Sequence, residues 1–316
     1  MTIFADWVYD HPHYRNAHTQ LCAAIDQLFD TGTPFMFTLL GGTGVGKTEV
    51  LKDVLARYPT QAPAARSPLH LVAMPVSPAG EALAKRIIET LVGKLIIRGS
   101  GSDIRAMAAR MLVQAGVKVL ILDELNHLIE MRRGERAQTT ENRRTADWFK
   151  ELLDQHGISI VLSGLPHTAR FFSDNEQFKR RAMRPVEILP YAWNVEKDRQ
   201  AFISAVNAFV MHMQSEGWTI DADHDRFTRA SYLSTSGTIG GLHKLMKAAE
   251  LLCGKQRRLT MELCATAFKI HFGMPDQVNP FELTDIHDIQ LHKAYQDVLI
   301  RNSIITRTRG NRFTKE

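Results

Sequence analysis

The chain has 316 residues, long enough for one large domain with a smaller appendage, and its 44% hydrophobic content can fill a sizeable core. No apolar run reaches the roughly 18 residues of a membrane helix, and Met1 to Asp10 lack the charged-then-apolar order of a secretory leader, so the expectation is a soluble, cytoplasmic protein. A net charge of +5 is compatible with a polyanionic partner without demanding one, and Cys22, Cys253 and Cys264, with no CxxC spacing, indicate neither a disulfide framework nor a zinc site.

In chain order, Leu21, Ile25 and Leu28 fall at helical spacing in an N-terminal helical extension, residues 1–33, broken by Gly32 and Pro34. Phe35 to Leu40 is an apolar strand. Directly after it stands Gly41-Gly42-Thr43-Gly44-Val45-Gly46-Lys47-Thr48, a complete G-x-x-x-x-G-K-T phosphate loop that opens a helix from Thr48 to Tyr58. The glycines let the backbone wrap its N–H groups around a β-phosphate, Lys47 reaches the β/γ oxygens, and the Thr48 hydroxyl ligates Mg²⁺. With Glu49 closing the stretch, residues 41–49 are the expected binding segment for a nucleoside triphosphate.

Leu69 to Val76 is a second strand, bounded by prolines, and Glu81–Ile97 and Ser102–Ala115 read as amphipathic helices. Val117 to Leu122 then delivers Asp123 and Glu124 at the carboxyl end of an apolar strand. Asp123 suits a Mg²⁺ held through its water shell, and Glu124 a general base for the attacking water. Ile158 to Ser163 is a fourth strand. Its terminal Ser163 is a candidate for orienting that water, or else a plain turn former. Val186 to Leu189 is a short fifth strand. Strands alternating with helices predict an α/β fold whose parallel sheet is covered on both faces and binds ligand at its carboxyl edge.

From Val195 the strand signals stop, and apolar residues such as Phe202, Val206, Phe209, Leu242, Leu245 and Met246 recur at helical spacing. The expected organisation is therefore an extension over 1–33, a nucleotide-binding α/β core over 34–194, a helical lid over 195–278, and a C-terminal extension over 279–316. The last ends in a basic tail from Arg307, too polar to bury and expected to be flexible.

A phosphate loop, a strand-end Asp-Glu and a helical lid together resemble the AAA+ class of ATPases: a P-loop core with a central parallel sheet flanked by helices, plus a C-terminal lid. In that class an arginine from a neighbouring subunit meets the γ-phosphate. The resemblance puts this arginine in the segment entering the fifth strand, with Arg181 favoured over Arg180 and Arg184, and a solvated basic helix end is an equally good reading of any one of them. More specifically, Leu120 to Leu128, Gly157 to Gly164, Thr238-Ile239-Gly240-Gly241-Leu242 and Asn279-Pro280-Phe281 are similar to the TniB/TnsC family of transposon-encoded ATPases, relatives of the Mu B protein. The likeness runs from about residue 5 to residue 283.

What the resemblance implies is a regulator that binds ATP and Mg²⁺ and assembles on double-stranded DNA with little sequence preference, as a ring or helical filament of about six or seven subunits per turn. It would mark a target site, act with a TniQ-like target-selection protein, and recruit a DDE transposase, with no membrane involved. DNA contact falls to Lys85, Arg86, Lys94, Arg98, Ser100 and Arg105, where the Arg98-Gly99-Ser100 turn can bring donors close to phosphate. The plain alternative for these side chains is a solvated face. Arg132, Arg133, Arg136, Arg143 and Arg144 read first as an exposed linker, with DNA or a neighbouring subunit as the alternatives.

Two departures stand out. The chain has Gly164-Leu165 where the family has Gly-Thr, and Gly240-Gly241 where it has Ile-Gly-Arg-Leu in the lid. The second removes a γ-phosphate arginine, for which His243 or Lys244 are candidate substitutes. Losing an interaction made in the transition state slows hydrolysis more than binding, so slow turnover is expected. A helicase loader is one alternative, but it would carry aromatic residues for stacking on single strands, and 85–105 contain none. The other is a nucleotide-gated interaction protein with incidental hydrolysis.

Overall fold

A computed structural model describes residues 2–5, 7–59, 67–75, 80–93, 99–126, 135–169, 182–254, 256–273, 278–302, 304–307 and 313–315. Two compact units emerge from the contacts within it. A sheet unit comprises Asn16–Gly41 and Lys47–Ile188, and a helical unit comprises Met1–Arg15, Gly42–Gly46 and Leu189–Glu316.

The sheet unit is built on five parallel strands: β1 (Met36–Gly41), β2 (Leu69–Ala73), β3 (Val119–Asp123), β4 (Ser159–Gly164) and β5 (Val186–Ile188), in the order β2-β3-β4-β1-β5. Strands β1, β3 and β4 are buried along their whole length, which is why they read as unbroken apolar runs. At the edges, β5 exposes its central Glu187, while β2 exposes Ala73 and leaves His70 and Leu71 half-buried. On one face Leu120, Leu122, Ile160 and Leu162 meet helices α3 (Gly80–Val92), α4 (Gly101–Gln114) and α5 (Glu135–His156) through Ile87, Leu112, Trp148 and Phe149. Each fully buried Leu or Ile there contributes about 1.5–3 kcal/mol relative to exposure.

Helix α1 (Pro12–Thr31) begins on a proline, whose fixed φ suits the first helical position, and ends before Gly32 at φ 68°. Helix α2 (Lys47–Arg57) starts directly after the phosphate loop. The apolar pattern predicts a third helix running to Ile97. Its regular structure ends at Val92, where Gly93 at φ 89° supplies a left-handed stop, and 94–98 lie outside the described residues.

The helical unit packs α6 (Glu196–Ser215), α7 (His224–Thr235), α8 (Ile239–Cys253), α9 (Met261–His271) and α10 (Asp288–Arg301) around Phe202, Phe209, Tyr232, Leu242, Leu245 and Phe268. The N-terminal segment belongs to this core. Phe4 is fully buried in it, its carbonyl accepts from His243 Nε2 at 3.1 Å, and the Ile3 N–H donates to Glu250 at 2.7 Å. At the head of α10, Asp288 accepts from Trp193 Nε1 (3.1 Å) and Arg229 Nη1 (2.6 Å), fixing the C-terminal segment to the unit.

Strand pairing does not stop at Val195 as the sequence suggested. β6 (Thr219–Asp221) pairs in parallel with β7 (Arg258–Thr260), and β8 (Ile305–Arg307) pairs antiparallel with β9 (Phe313–Lys315), which lies in the tail expected to be flexible. Each of these strands has three residues of which one is apolar, unlike the Val-Glu-Ile of β5, so none shows an alternation to read.

Candidate functional site

The sheet brings its functional side chains to one edge. Because β1, β3 and β4 are parallel and in register, Gly41, Asp123 and Ser163 all stand at carboxyl ends. From Gly41 the chain enters the loop, where Gly44 and Gly46 take φ of 76° and 99°, conformations that disfavour a side chain. Lys47 Nζ donates to the Gly41 carbonyl at 2.8 Å. Burial pulls its ammonium pKa below the usual lysine range, and the negative charges of Asp123 and Glu124 oppose that shift.

Asp123 is the hub. It is only 6% exposed, and its carboxylate accepts three hydrogen bonds: Thr48 Oγ1 to Oδ2 (2.7 Å), Ser163 Oγ to Oδ1 (2.7 Å) and the Glu124 N–H to Oδ1 (2.9 Å). A buried carboxylate needs such donors to offset its lost hydration. The Asp123 carbonyl accepts from the Met74 N–H, and the Leu125 N–H donates to Ser163, so the strand ends are held on both sides. Glu124 leaves the strand at φ 63°, a left-handed conformation costing a non-glycine residue on the order of 1 kcal/mol. That turn carries its side chain to an exposed position.

Thr48 and Asp123 are oxygen donors in contact, which suits a hard cation such as Mg²⁺. Among the described residues no group of three or more His, Cys, Asp or Glu could hold a metal. A Mg²⁺ that keeps waters and phosphate oxygens needs only one or two protein ligands, so the donor set fits. Glu49, by contrast, is exposed and paired with Lys52 at 2.8 Å on the surface of α2.

The loop segment Gly42–Gly46 meets α8 within the helical unit. A Cβ on Gly240 would run into the Gly44 carbonyl, and one on Gly241 would lie 2.5 Å from Thr238 Oγ1 and 3.0 Å from Thr235 Cβ. Position 241, where the family resemblance expected arginine, has no room for a side chain in this packing. Of the two candidate substitutes, His243 bonds the Phe4 carbonyl and Lys244 Nζ sits 4.9 Å over the Phe272 ring.

A model of the bacterial TniB protein family matches residues 3–190, more than half of the chain and including Gly41 to Thr48, Asp123, Glu124 and Ser163. The chain belongs to the TniB family. No protein of curated description matches it in sequence. Among solved structures, this TniB-family chain is similar to the ORC2 protein of Aeropyrum pernix in ADPNP-ADP complexes, with TM-score 0.62 and 12% identity, covering 98% of this chain and 92% of that one. The ORC1 protein of the same organism in complex with DNA gives TM-score 0.62 and 15% identity over 98% and 89%. CDC6P from Pyrobaculum aerophilum gives 0.61 and 15% over 99% and 92%. At such identities the likeness establishes the fold, which is that of AAA+ proteins.

The remaining residues expected of a TniB-type protein are less gathered. Lys85 pairs with Glu81 (2.6 Å) and Arg86 with Glu89 (3.6 Å) along α3. Such exposed pairs are worth under about 1 kcal/mol and exchange readily for another anion. Ser100 caps α4: it takes the Asp103 N–H and donates to the Asp103 carboxylate at 2.6 Å. Arg105 follows on the same helix, half-exposed, while Lys94 and Arg98 lie outside the described residues. Arg180 and Arg181 also lie outside them, and Arg184 is exposed just before β5. Arg143 and Arg144 are exposed on α5. No helix among the described residues is long and apolar enough to cross a membrane.

Sequence reasoning missed Asn302. It is 7% exposed, and its Oδ1 accepts from the Thr43 N–H of the phosphate loop at 3.1 Å. The two residues are 259 positions apart, and no local pattern connects them.

Proposed function

We propose that this chain is an ATP-dependent regulator of DNA transposition that assembles on double-stranded DNA, marks the target site and recruits a transposase, with slow hydrolysis setting the lifetime of the assembly. The observation that carries the enzymatic part is Asp123, held by Thr48, Ser163 and the Glu124 N–H, with the half-buried Lys47 on the Gly41 carbonyl. Mg²⁺ bound at Thr48 and Asp123 would neutralise charge on the β- and γ-phosphates. Lys47 binds the same oxygens, Ser163 keeps Asp123 in place and orients the water, and Glu124 accepts the water's proton. The lid contributes no arginine at Gly241, so transition-state charge depends on Arg181 of a neighbouring subunit, and turnover is slow.

TniB membership supports the role in transposition. The mixed basic surface of α3 and α4, with Lys85, Arg86, Ser100 and Arg105, supports contact with DNA phosphates rather than bases, a role the proposal extends to Lys94 and Arg98 outside the described residues. The fold-level likeness to a protein solved in complex with DNA is compatible with this reading. Residues 34–194 act as the nucleotide-binding core, 195–278 as its lid, and 279–316 as an extension. Partners of this assembly are further copies of the chain, a transposase and a TniQ-like protein.

Phosphate release by the parent and by Glu124→Gln, with duplex DNA and Mg²⁺, tests the enzyme. A clear rate in the parent that falls at least about 100-fold in the variant is expected. Equal, negligible rates in both would instead favour a nucleotide-gated interaction protein.

A further inference from the structure

The phosphate loop is held by a residue outside its own motif. Asn302 caps the end of α10, and its side chain uses both of its polar atoms: Oδ1 accepts the Thr43 N–H at 3.1 Å, and Nδ2 donates to the Val298 carbonyl at 2.8 Å. The opposite senses of the two bonds select an amide. A carboxylate could take the first but not give the second, and an aliphatic side chain could do neither. Thr43, Gly42 and Asn302 all lie within the helical unit, so the contact is internal to it.

Gly42 shows how close the approach is. A Cβ there would lie 2.7 Å from Asn302 Nδ2, 2.8 Å from Cγ and 3.1 Å from Oδ1, and these are its three nearest atoms. Gly42 is not among the glycines with positive φ. Its backbone conformation therefore admits any residue, and what bars a side chain is the buried amide lying over it. Both the second and third residues of the phosphate loop are fitted to Asn302.

Resting on the nucleotide-site reading above, we propose that Asn302 is a positioning residue for ATP: it fixes the entry of the phosphate loop, so that the N–H groups following Thr43 are preorganised for the triphosphate. The same bond ties the end of α10 to the loop, and β8 begins three residues beyond Asn302. Nucleotide binding and the order of the C-terminal segment are thereby linked, and linkage is reciprocal.

Asn302→Ala is expected to weaken ATP affinity about fivefold to tenfold, the scale of one buried hydrogen bond and the order it imposes. Gly42→Ala displaces the amide and should weaken affinity by a similar factor. Because both act through one contact, the double variant should be no weaker than either single variant. A residue that merely stabilises the fold would lower the melting temperature without this coupling, so ATP affinity is measured by titration calorimetry well below the melting point of each variant. Hydrogen exchange gives the second readout: the peptide containing Thr43 should exchange faster in Asn302→Ala, and ATP should slow exchange at 298–302 in the parent only. If the parent binds ATP and the variants bind equally well, or if their losses simply multiply, the positioning role is overturned while the nucleotide site stands. Absence of ATP binding in the parent would overturn both.

Discussion

Two substitutions at Asp123 separate holding the site together from running its chemistry. Its carboxylate takes three donors, two on Oδ1 and one on Oδ2. Asp123→Asn keeps an oxygen for Ser163 and the Glu124 N–H and turns an NH₂ toward Thr48, whose hydroxyl can rotate to accept. Three charge-assisted bonds become neutral, a loss of about 3 kcal/mol, but the desolvation penalty of a buried charge, several kcal/mol, disappears with it. The net change in stability should stay within about 2 kcal/mol, which at roughly 2–4 °C per kcal/mol is a shift of less than about 8 °C. Asp123→Ala strands all three donors, one of them a backbone N–H, at about 1–3 kcal/mol for each that water does not reach. It should melt clearly lower than the asparagine variant. Both lose the anionic oxygen suited to Mg²⁺, and turnover should fall at least about 100-fold in each. Circular dichroism melts without nucleotide and phosphate release with Mg²⁺ read the two effects. An asparagine variant that melts as low as alanine, or that hydrolyses ATP at the parental rate, would refute this account of Asp123.

Other outcomes follow from the same packing. Gly240→Ala should lower both stability and ATP affinity, by about 1–3 kcal/mol in stability, because its Cβ has the Gly44 carbonyl in its way; a variant with parental melting and affinity would contradict that contact. His11 is buried with Nδ1 accepting from the Tyr14 N–H (3.4 Å) and lying 2.9 Å from Tyr191 Oη, and burial, then His13, pulls its pKa down to about 3. The folded pKa is below the unfolded value, so His11 contributes nothing to the pH slope above about 6.5 and destabilises progressively as pH falls from there toward 3. The loss by pH 5 is about 2 kcal/mol. Urea melts at pH 7 and pH 5 should show a steeper loss for the parent than for His11→Gln, and parallel slopes would rule the group out. Mixing Arg181→Ala with Lys47→Ala subunits should leave mixed interfaces inactive on one side. Full activity of Arg181→Ala alone would move the role to Arg180 or Arg184.

What the sequence disclosed was what is local. The phosphate loop, the Asp123-Glu124 pair and Ser163 each sit at the end of a run of apolar residues, because strands buried on both faces must be apolar throughout. Their convergence follows from parallel topology, which alternating strands and helices already suggest. What stayed hidden depends on long-range packing. The pairs β6–β7 and β8–β9 are three residues long and show no period. The burial of Phe4 against α6 and α8 gives the N-terminal segment a place that its composition does not announce. The apolar pattern running on to Ile97 does not mark the end of α3, which Gly93 sets through its left-handed backbone. Asn302 is one polar residue among many in the C-terminal segment, and only the fold brings it to Thr43.

Electron microscopy of the chain with duplex DNA, in the presence of ATP and in the presence of ADP, tests the central claim most directly. With ATP we expect rings or filaments encircling or coating the duplex, lost with ADP, lost in Lys47→Ala, and weakened steeply as salt rises. Assemblies that form equally with either nucleotide and survive Lys47→Ala, or a protein that leaves duplex DNA bare with ATP, would contradict it.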